Sequence, residues 1–302
     1  MLGEALSILG SEAIINRKNK KMKRIAVIGA GTMGNGIAHV FAQFGFKVNL
    51  IDTQAAALEK ALATIEKNMD RQVSKGVISL ADKAKALANL STFTSIEKGV
   101  PDADLIIEAA TENSTIKESI FTTIDQHAKP EAILASNTSS ISIAQLAAAT
   151  QRPGKVIGMH FMNPVPIMKL VEIINCNATD PSVTEAIVAL TKKINKIPCV
   201  VKDFPGFIAN RILMPMINEA IIAYSEGVSD ATTIDEIMRL GMAHPMGPLQ
   251  LADYIGLDVC KSILDIMYKG FGNTKYSPCP LLVKMVEEGK LGVKTGEGFY
   301  KY

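Results

Sequence analysis

A chain of 302 residues is long enough for two domains, and its 48% hydrophobic content can supply a sizeable core. The formal net charge of +2 gives no overall pull towards nucleic acid or an acidic membrane, and no stretch has the length and purity of a membrane span. Cys176, Cys199, Cys260 and Cys279 are widely spaced and make no C-x-x-C pair, which points to free thiols in a reducing cytoplasm; no metal site is expected.

The first 21 residues, MLGEALSILGSEAIINRKNKK, stand apart. Glu4 and Glu12 interrupt an apolar start, so the segment reads neither as a secretion signal nor as a transit peptide. It is expected to be an extension without chemistry, ending in a solvated basic cluster of Arg17, Lys18, Lys20 and Lys21, with Met22 fitting a natural start.

Ile25 to Ile28 form a short apolar run that ends in Gly29-Ala30-Gly31-Thr32-Met33-Gly34, after which apolar residues recur at Ile37, Val40, Phe41 and Phe44. This is strand, tight glycine turn, helix. Gly29 permits the turn, Gly31 lets backbone approach a pyrophosphate, and Gly34 lets the helix lie close to the strand. The helix N-terminus offers unpaired N–H groups to the phosphates. A second strand, Val48 to Ile51, ends at Asp52, about 20 residues on, where a carboxylate accepts the ribose hydroxyls. Thr53 and Gln54 follow with no arginine beside them, which favours NAD over NADP.

Ala55 to Lys75 has helical spacing and is ended by Gly76; Leu80 to Leu90 reads as another helical piece. Strands are expected at Ser91–Thr94, Leu105–Glu108, Ile133–Ser136, Val156–His160, Lys169–Ile174 and Pro198–Val201, with helices at Thr115–His127, Ile143–Ala149 and Pro181–Asn195. Ser142 and Gln145 have the spacing of a capping box. Such alternation specifies an α/β fold, a Rossmann-type doubly wound and mainly parallel sheet, with an antiparallel hairpin among the later strands.

At Asp203-Phe204-Pro205-Gly206 the pattern changes. Helices are expected at Phe207–Glu226, Asp230–Leu240, Pro248–Tyr268 and Pro280–Glu288, with Gly298–Tyr302 the one candidate strand. The expected organisation is therefore an extension at 1–21, a nucleotide-binding domain at 22–204 and an all-helical second domain at 205–302. Met214, Met216, Ile217, Ile221 and Ile222 supply apolar surface for a core and a subunit interface.

Ligands of an open α/β sheet bind beyond the carboxyl ends of its strands, so the polar runs after Glu108, Ala135 and Met159 matter most. His160 stands out, because a hydroxyl oxidised by hydride loss must release its proton and imidazole can take it near neutrality. Glu172, twelve positions on across the turn Asn163-Pro164-Val165-Pro166, can hold the ring tautomer if the two strands lie side by side. Ser139 reads equally as a turn hydroxyl, and Asn210 as a polar residue on a helix face or a donor to the substrate oxygen. Arg71 and Lys75 are one turn apart on an otherwise ordinary helix face.

The segments GAGTMGNGIA, ASNTSS, GMHFMNPVPIMKLVE, DFPGFIANRIL, HPMGPLQLADYIGLD and KTGEGFYKY, in this order and spacing, resemble the L-3-hydroxyacyl-CoA dehydrogenase family, and most of all its short, monofunctional bacterial 3-hydroxybutyryl-CoA branch. The resemblance runs from Met22 to Tyr302. It implies reversible NAD-dependent oxidation of a (3S)-3-hydroxyacyl-CoA, with His160 as general acid/base and Glu172 as its orienting partner. It implies that Ser139 and Asn210 hydrogen-bond the substrate oxygen, and that Glu112, Lys117, Asn137 and Asn163 join Gly29, Gly31, Thr32, Met33, Gly34 and Asp52 around the cofactor. Arg71 and Lys75 correspond to basic residues that meet the coenzyme A portion, and the family pairs into homodimers through its helical domain. Two other readings start from the same glycine turn. A dehydrogenase of free β-hydroxy acids uses a catalytic lysine, which the His160/Glu172 pair opposes; a non-catalytic NAD-binding protein has no need of that pair.

Overall fold

The computed structural model describes residues 22–302, so the expectations for the first 21 residues lie outside it. Eight strands form one sheet in the order β3-β2-β1-β4-β5-β6-β7-β8. They are β1 (Arg24–Ile28), β2 (Lys47–Ile51), β3 (Leu90–Phe93), β4 (Leu105–Glu108), β5 (Ile133–Ser136), β6 (Val156–Phe161), β7 (Leu170–Asn175) and β8 (Ile197–Lys202). Neighbours from β3 through β6 run parallel, and β6 and β7 run antiparallel. The order reverses on either side of β1, the topological switch where such sheets bind dinucleotides.

The crossovers use α1 (Thr32–Gln43), α2 (Ala55–Ser74), α3 (Leu80–Leu87), α4 (Ile96–Gly99), α5 (Ser114–His127), α6 (Ile143–Ala148) and α7 (Pro181–Lys193). Their cores follow the helical period: Leu58, Ala61, Ile65 and Met69 are the buried stripe of α2. Phe41 of α1 meets the Phe46 ring edge-on at 5.5 Å and the Phe161 ring at 6.4 Å, so the first helix is packed against both halves of the sheet.

The chain divides into two compact units. The first runs to Thr138 and resumes at Ile143–Val200; the second comprises Ser139–Ser142 and Val201–Tyr302. The second unit is built of α8 (Ala209–Ser225), α9 (Ala231–Gly241), α10 (Pro248–Ile255), α11 (Leu257–Phe271) and α12 (Pro280–Glu287) around Met214, Ile217, Leu249, Leu264 and Leu282.

The structure departs from two expectations. The single helix expected over Pro248–Tyr268 is two helices, because Gly256 takes φ 101°, which a right-handed helix cannot contain. Gly298–Tyr302 makes only an isolated bridge, Glu297 to Lys301. Its backbone is held by a side chain instead: Asp253, fully buried, accepts from the Phe299 and Tyr300 N–H groups at 3.0 and 2.9 Å. Desolvation raises the Asp253 carboxyl above the ordinary range.

Candidate active site

The glycine turn is built as its three positions require. Gly29 has φ 99°, and a Cβ there would stand 2.6 Å from the Ala109 carbonyl oxygen. A Cβ on Gly34 would overlap the Gly29 carbonyl oxygen, so only glycine lets α1 begin against the strand end. At Gly31 nothing lies within 4 Å of the Cβ position, which leaves open space in front of the first helical N–H groups. Asp52 closes the arrangement: Oδ2 accepts the Ala30 N–H at 2.8 Å and Oδ1 the Gln54 N–H at 3.0 Å, which leaves lone pairs for ribose hydroxyls.

These groups line a cleft of about 910 Å³ within the first unit. Of the expected cofactor residues, Gly29, Gly31, Thr32, Asp52 and Asn163 face it directly. Gly34 is buried behind the turn and Met33 packs on the core. The cleft also takes Lys60, Thr64 and Asn68 from α2, a stripe that sequence reasoning passed over. Exposed Arg71 and Lys75 continue that stripe at steps of three and four residues. The donors, the open glycine and the carboxylate fit a dinucleotide, and among the described residues no arginine lines the cleft to hold a 2′-phosphate.

A second polar cluster sits at the ends of β4 and β5. Glu108 Oε1 accepts from the Lys117 ammonium at 2.6 Å and from the Ala110 N–H at 2.7 Å, while Oε2 accepts from the Ser136 hydroxyl at 2.6 Å. Lys117, buried in α5, also donates to the Ala110 carbonyl at 3.1 Å and stands 3.4 Å from Glu112. Glu112 is exposed and accepts from the Thr138 hydroxyl at 2.5 Å. Asn137 is buried, its Oδ1 accepting from the Phe161 N–H at 2.9 Å, so it ties β5 to β6. Sequence reasoning noted Glu108 only as the end of a strand; its signal was a carboxylate closing an otherwise apolar run.

The antiparallel register pairs His160 with Glu172, and Nδ1 lies 2.7 Å from Glu172 Oε2. Both residues are buried, at 9% and 3% exposure, so this is an enclosed His–carboxylate pair of the kind that can hold an imidazole for proton transfer. The loop between the strands includes Asn163 and carries Val165 and Met168, whose carbonyls both accept from the buried Lys196 ammonium. Burial lowers Lys196 below the usual lysine value.

In the second unit, Asn210 in α8 donates Nδ2–H to the Ser139 carbonyl at 3.0 Å, and the Ser142 hydroxyl donates to Asp203 at 2.8 Å. Ser139 and Asn210 are thus brought together in one unit, and His160 and Glu172 in the other. Gln145 donates to Glu118 at 2.6 Å.

Comparisons agree across both units. Residues 24–204 match the model for the 3-hydroxyacyl-CoA dehydrogenase NAD-binding domain, and residues 206–302 match that for the 3-hydroxyacyl-CoA dehydrogenase C-terminal domain. The chain is 53% identical over 281 residues to a 3-hydroxybutyryl-CoA dehydrogenase of Bradyrhizobium diazoefficiens, covering 93% of this chain and 96% of that one. It is 42% identical over 299 residues to the mitochondrial hydroxyacyl-coenzyme A dehydrogenase of Sus scrofa, covering 97% and 95%. The crystal structure of (S)-3-hydroxybutyryl-CoA dehydrogenase from Ralstonia eutropha superposes with a TM-score of 0.91 at 46% identity, covering 93% of this chain and 99% of that one.

Proposed function

The chain belongs to the 3-hydroxyacyl-CoA dehydrogenase family, and from that premise we propose that it interconverts (3S)-3-hydroxybutyryl-CoA and acetoacetyl-CoA, with His160 moving the proton and Glu172 holding the imidazole. It is an NAD-dependent oxidoreductase acting on 3-hydroxyacyl-CoA. The observation that carries the residue assignment is the enclosed His160–Glu172 pair at 2.7 Å.

Gly29, Gly31, Thr32 and Asp52 would hold the dinucleotide, the turn and helix N-terminus suiting phosphates and the Asp52 carboxylate suiting ribose hydroxyls. A bound nicotinamide would supply the hydride chemistry at C3. His160 takes the hydroxyl proton during oxidation and gives it back in reduction. Glu172, hydrogen-bonded at Nδ1, fixes which ring nitrogen faces the substrate and stabilises the imidazolium. Ser139 and Asn210 hydrogen-bond the substrate oxygen, a contribution of orientation. Arg71 and Lys75 receive the coenzyme A phosphates; their exposure on the stripe that continues from the cleft supports this.

The protein forms a homodimer through the second unit, a reading supported by exposed Ile212 and Leu240, at 66% and 79%. Its compartment is the cytoplasm, which four free cysteines fit. Among the described residues no helix is long and apolar enough to cross a membrane.

Steady-state oxidation of NADH by acetoacetyl-CoA tests the assignment. His160→Gln lowers kcat by roughly 10²–10⁴-fold while the dissociation constant for NADH stays at the wild-type value. Full turnover in this variant removes His160 from the mechanism. Free acetoacetate outperforming its CoA thioester overturns the substrate.

A further inference from the structure

Glu108 is fully buried, and so is the lysine it meets. Burying a carboxylate and an ammonium is costly, and a well-packed apolar pair commonly matches such a bridge in stability. Stability alone therefore does not explain why a charge closes this strand. The geometry points to a different use.

Three segments converge on the one carboxylate: the chain just beyond β4 through the Ala110 N–H, the end of β5 through Ser136, and the first turns of α5 through Lys117. The stretch from Ala109 to Thr111 that leaves Glu108 is itself wall of the cofactor cleft. That wall abuts the glycine turn without slack. The Ala109 N–H bonds the Ile28 carbonyl at 2.7 Å, and the Ala109 carbonyl occupies the side of Gly29 where a Cβ would come within 2.6 Å. A shift of a few tenths of an ångström in the wall is therefore felt by the turn. The same carboxylate aims Lys117, whose remaining contacts are the Ala110 carbonyl and Glu112.

We propose that Glu108 is a positioning residue for the dinucleotide: gripping Lys117, Ala110 and Ser136 together as one device, it sets the cleft wall beside the glycine turn. The proposal rests on the reading of this cleft as the NAD site and deepens it. Glu108 itself makes no contact with the reacting atoms; it acts through Lys117 and the wall.

The test is a double-mutant cycle on the full chain, read by NADH fluorescence titration and thermal melting: wild type, Glu108→Gln, Lys117→Met and the double variant. Glu108→Gln weakens NADH binding roughly tenfold, and the loss appears in KM for NADH rather than in KM for acetoacetyl-CoA. In the Lys117→Met background the same change costs less than about twofold, because the two residues act as one device. Glu108→Gln that melts lower yet binds NADH as wild type does makes the carboxylate merely structural and overturns the proposal; so do equal losses in both backgrounds. Should Glu108→Gln not fold, Ser136→Ala releases one grip on Oε2. It is expected to weaken NADH binding a few-fold in the wild-type background and not in Lys117→Met, and equal losses in the two overturn the proposal. A wild-type chain that binds no NADH overturns the reading of the cleft, and the proposal with it.

Discussion

His39 offers a sharp test of how the first unit is held. It lies in α1 with no exposed surface, its Nε2 3.1 Å from the Gln43 side-chain oxygen, while Nδ1 has no partner. Desolvation, with the Lys196 ammonium nearby adding to it, lowers its pKa from 6.5 to about 4 against a smaller raising effect of the Gln43 bond. The folded chain therefore keeps this ring neutral where the unfolded chain protonates it. Stability from this source is fully present above pH 6.5 and is lost as pH falls from 6.5 towards about 4, at about 1.4 kcal/mol per pH unit. The whole interval carries about 3.4 kcal/mol at most, and the part lost between pH 8 and pH 5 is about 2 kcal/mol.

The perturbation is His39→Leu, which removes the titrating ring and leaves an apolar side chain in its place. Urea unfolding of both proteins at pH 8 and pH 5, at one protein concentration so that association cancels, gives two pH differences. The other titrating groups contribute equally to each. The wild type is expected to lose about 2 kcal/mol more than His39→Leu between the two pH values. Equal losses refute the argument, since a ring that protonates freely in the folded state contributes no such slope.

Other substitutions separate positions that look alike in sequence. Gly31→Ala, with open space at its Cβ, keeps the wild-type melting point within about 2 °C but weakens NADH binding tenfold or more, about 1.4 kcal/mol or above; Gly34→Ala, whose Cβ would overlap the Gly29 carbonyl oxygen, fails to fold its turn. Melting curves and NADH titration of the pair check this, and a folded Gly34→Ala that binds NADH normally contradicts it. Lys196→Met strands the Val165 and Met168 carbonyls and destabilises by about 2 kcal/mol, read by urea unfolding; an unchanged midpoint shows that these carbonyls find other donors.

What the sequence discloses depends on whether the requirement is local. The glycine turn is legible because most of its residues lie within one strand–helix–strand unit: Gly29 and Gly34 meet each other, and Asp52 at the end of β2 returns to Ala30, while the Ala109 carbonyl that bars a Cβ at Gly29 comes from beyond β4 and leaves no mark there. The helix break at Gly256 is not. The apolar residues Leu249, Ala252, Leu257, Cys260 and Leu264 continue without a gap that periodicity would register, and the demand for glycine is a backbone angle, φ 101° at Gly256, which the apolar pattern does not carry. Lys196 escapes for a related reason. Its partners are backbone carbonyls, which leave no residue signature. Glu108 and Lys117 were both visible, but only the fold shows that they share a buried bridge.

The placement of the His–carboxylate pair follows from the antiparallel step from β6 to β7, beside strands that run parallel from β3 to β6. Parallel neighbours need a long crossover, so two side chains meant to meet at hydrogen-bond distance must cross a packed helix in sequence. The β6–β7 hairpin avoids this and sets Glu172 opposite His160 within a short loop. The same economy makes the pair vulnerable, because a slip of one residue would turn Glu172 to the other face of the sheet and leave the ring without its acceptor. Register is therefore part of the chemistry. The flanking pairs Met159–Ile173 and Phe161–Val171, all buried, resist the slip from within the sheet, and the Lys196 ammonium closes the loop from outside it. On this argument, damage to the loop anchor reaches the acid/base pair through alignment and should lower kcat before it abolishes cofactor binding.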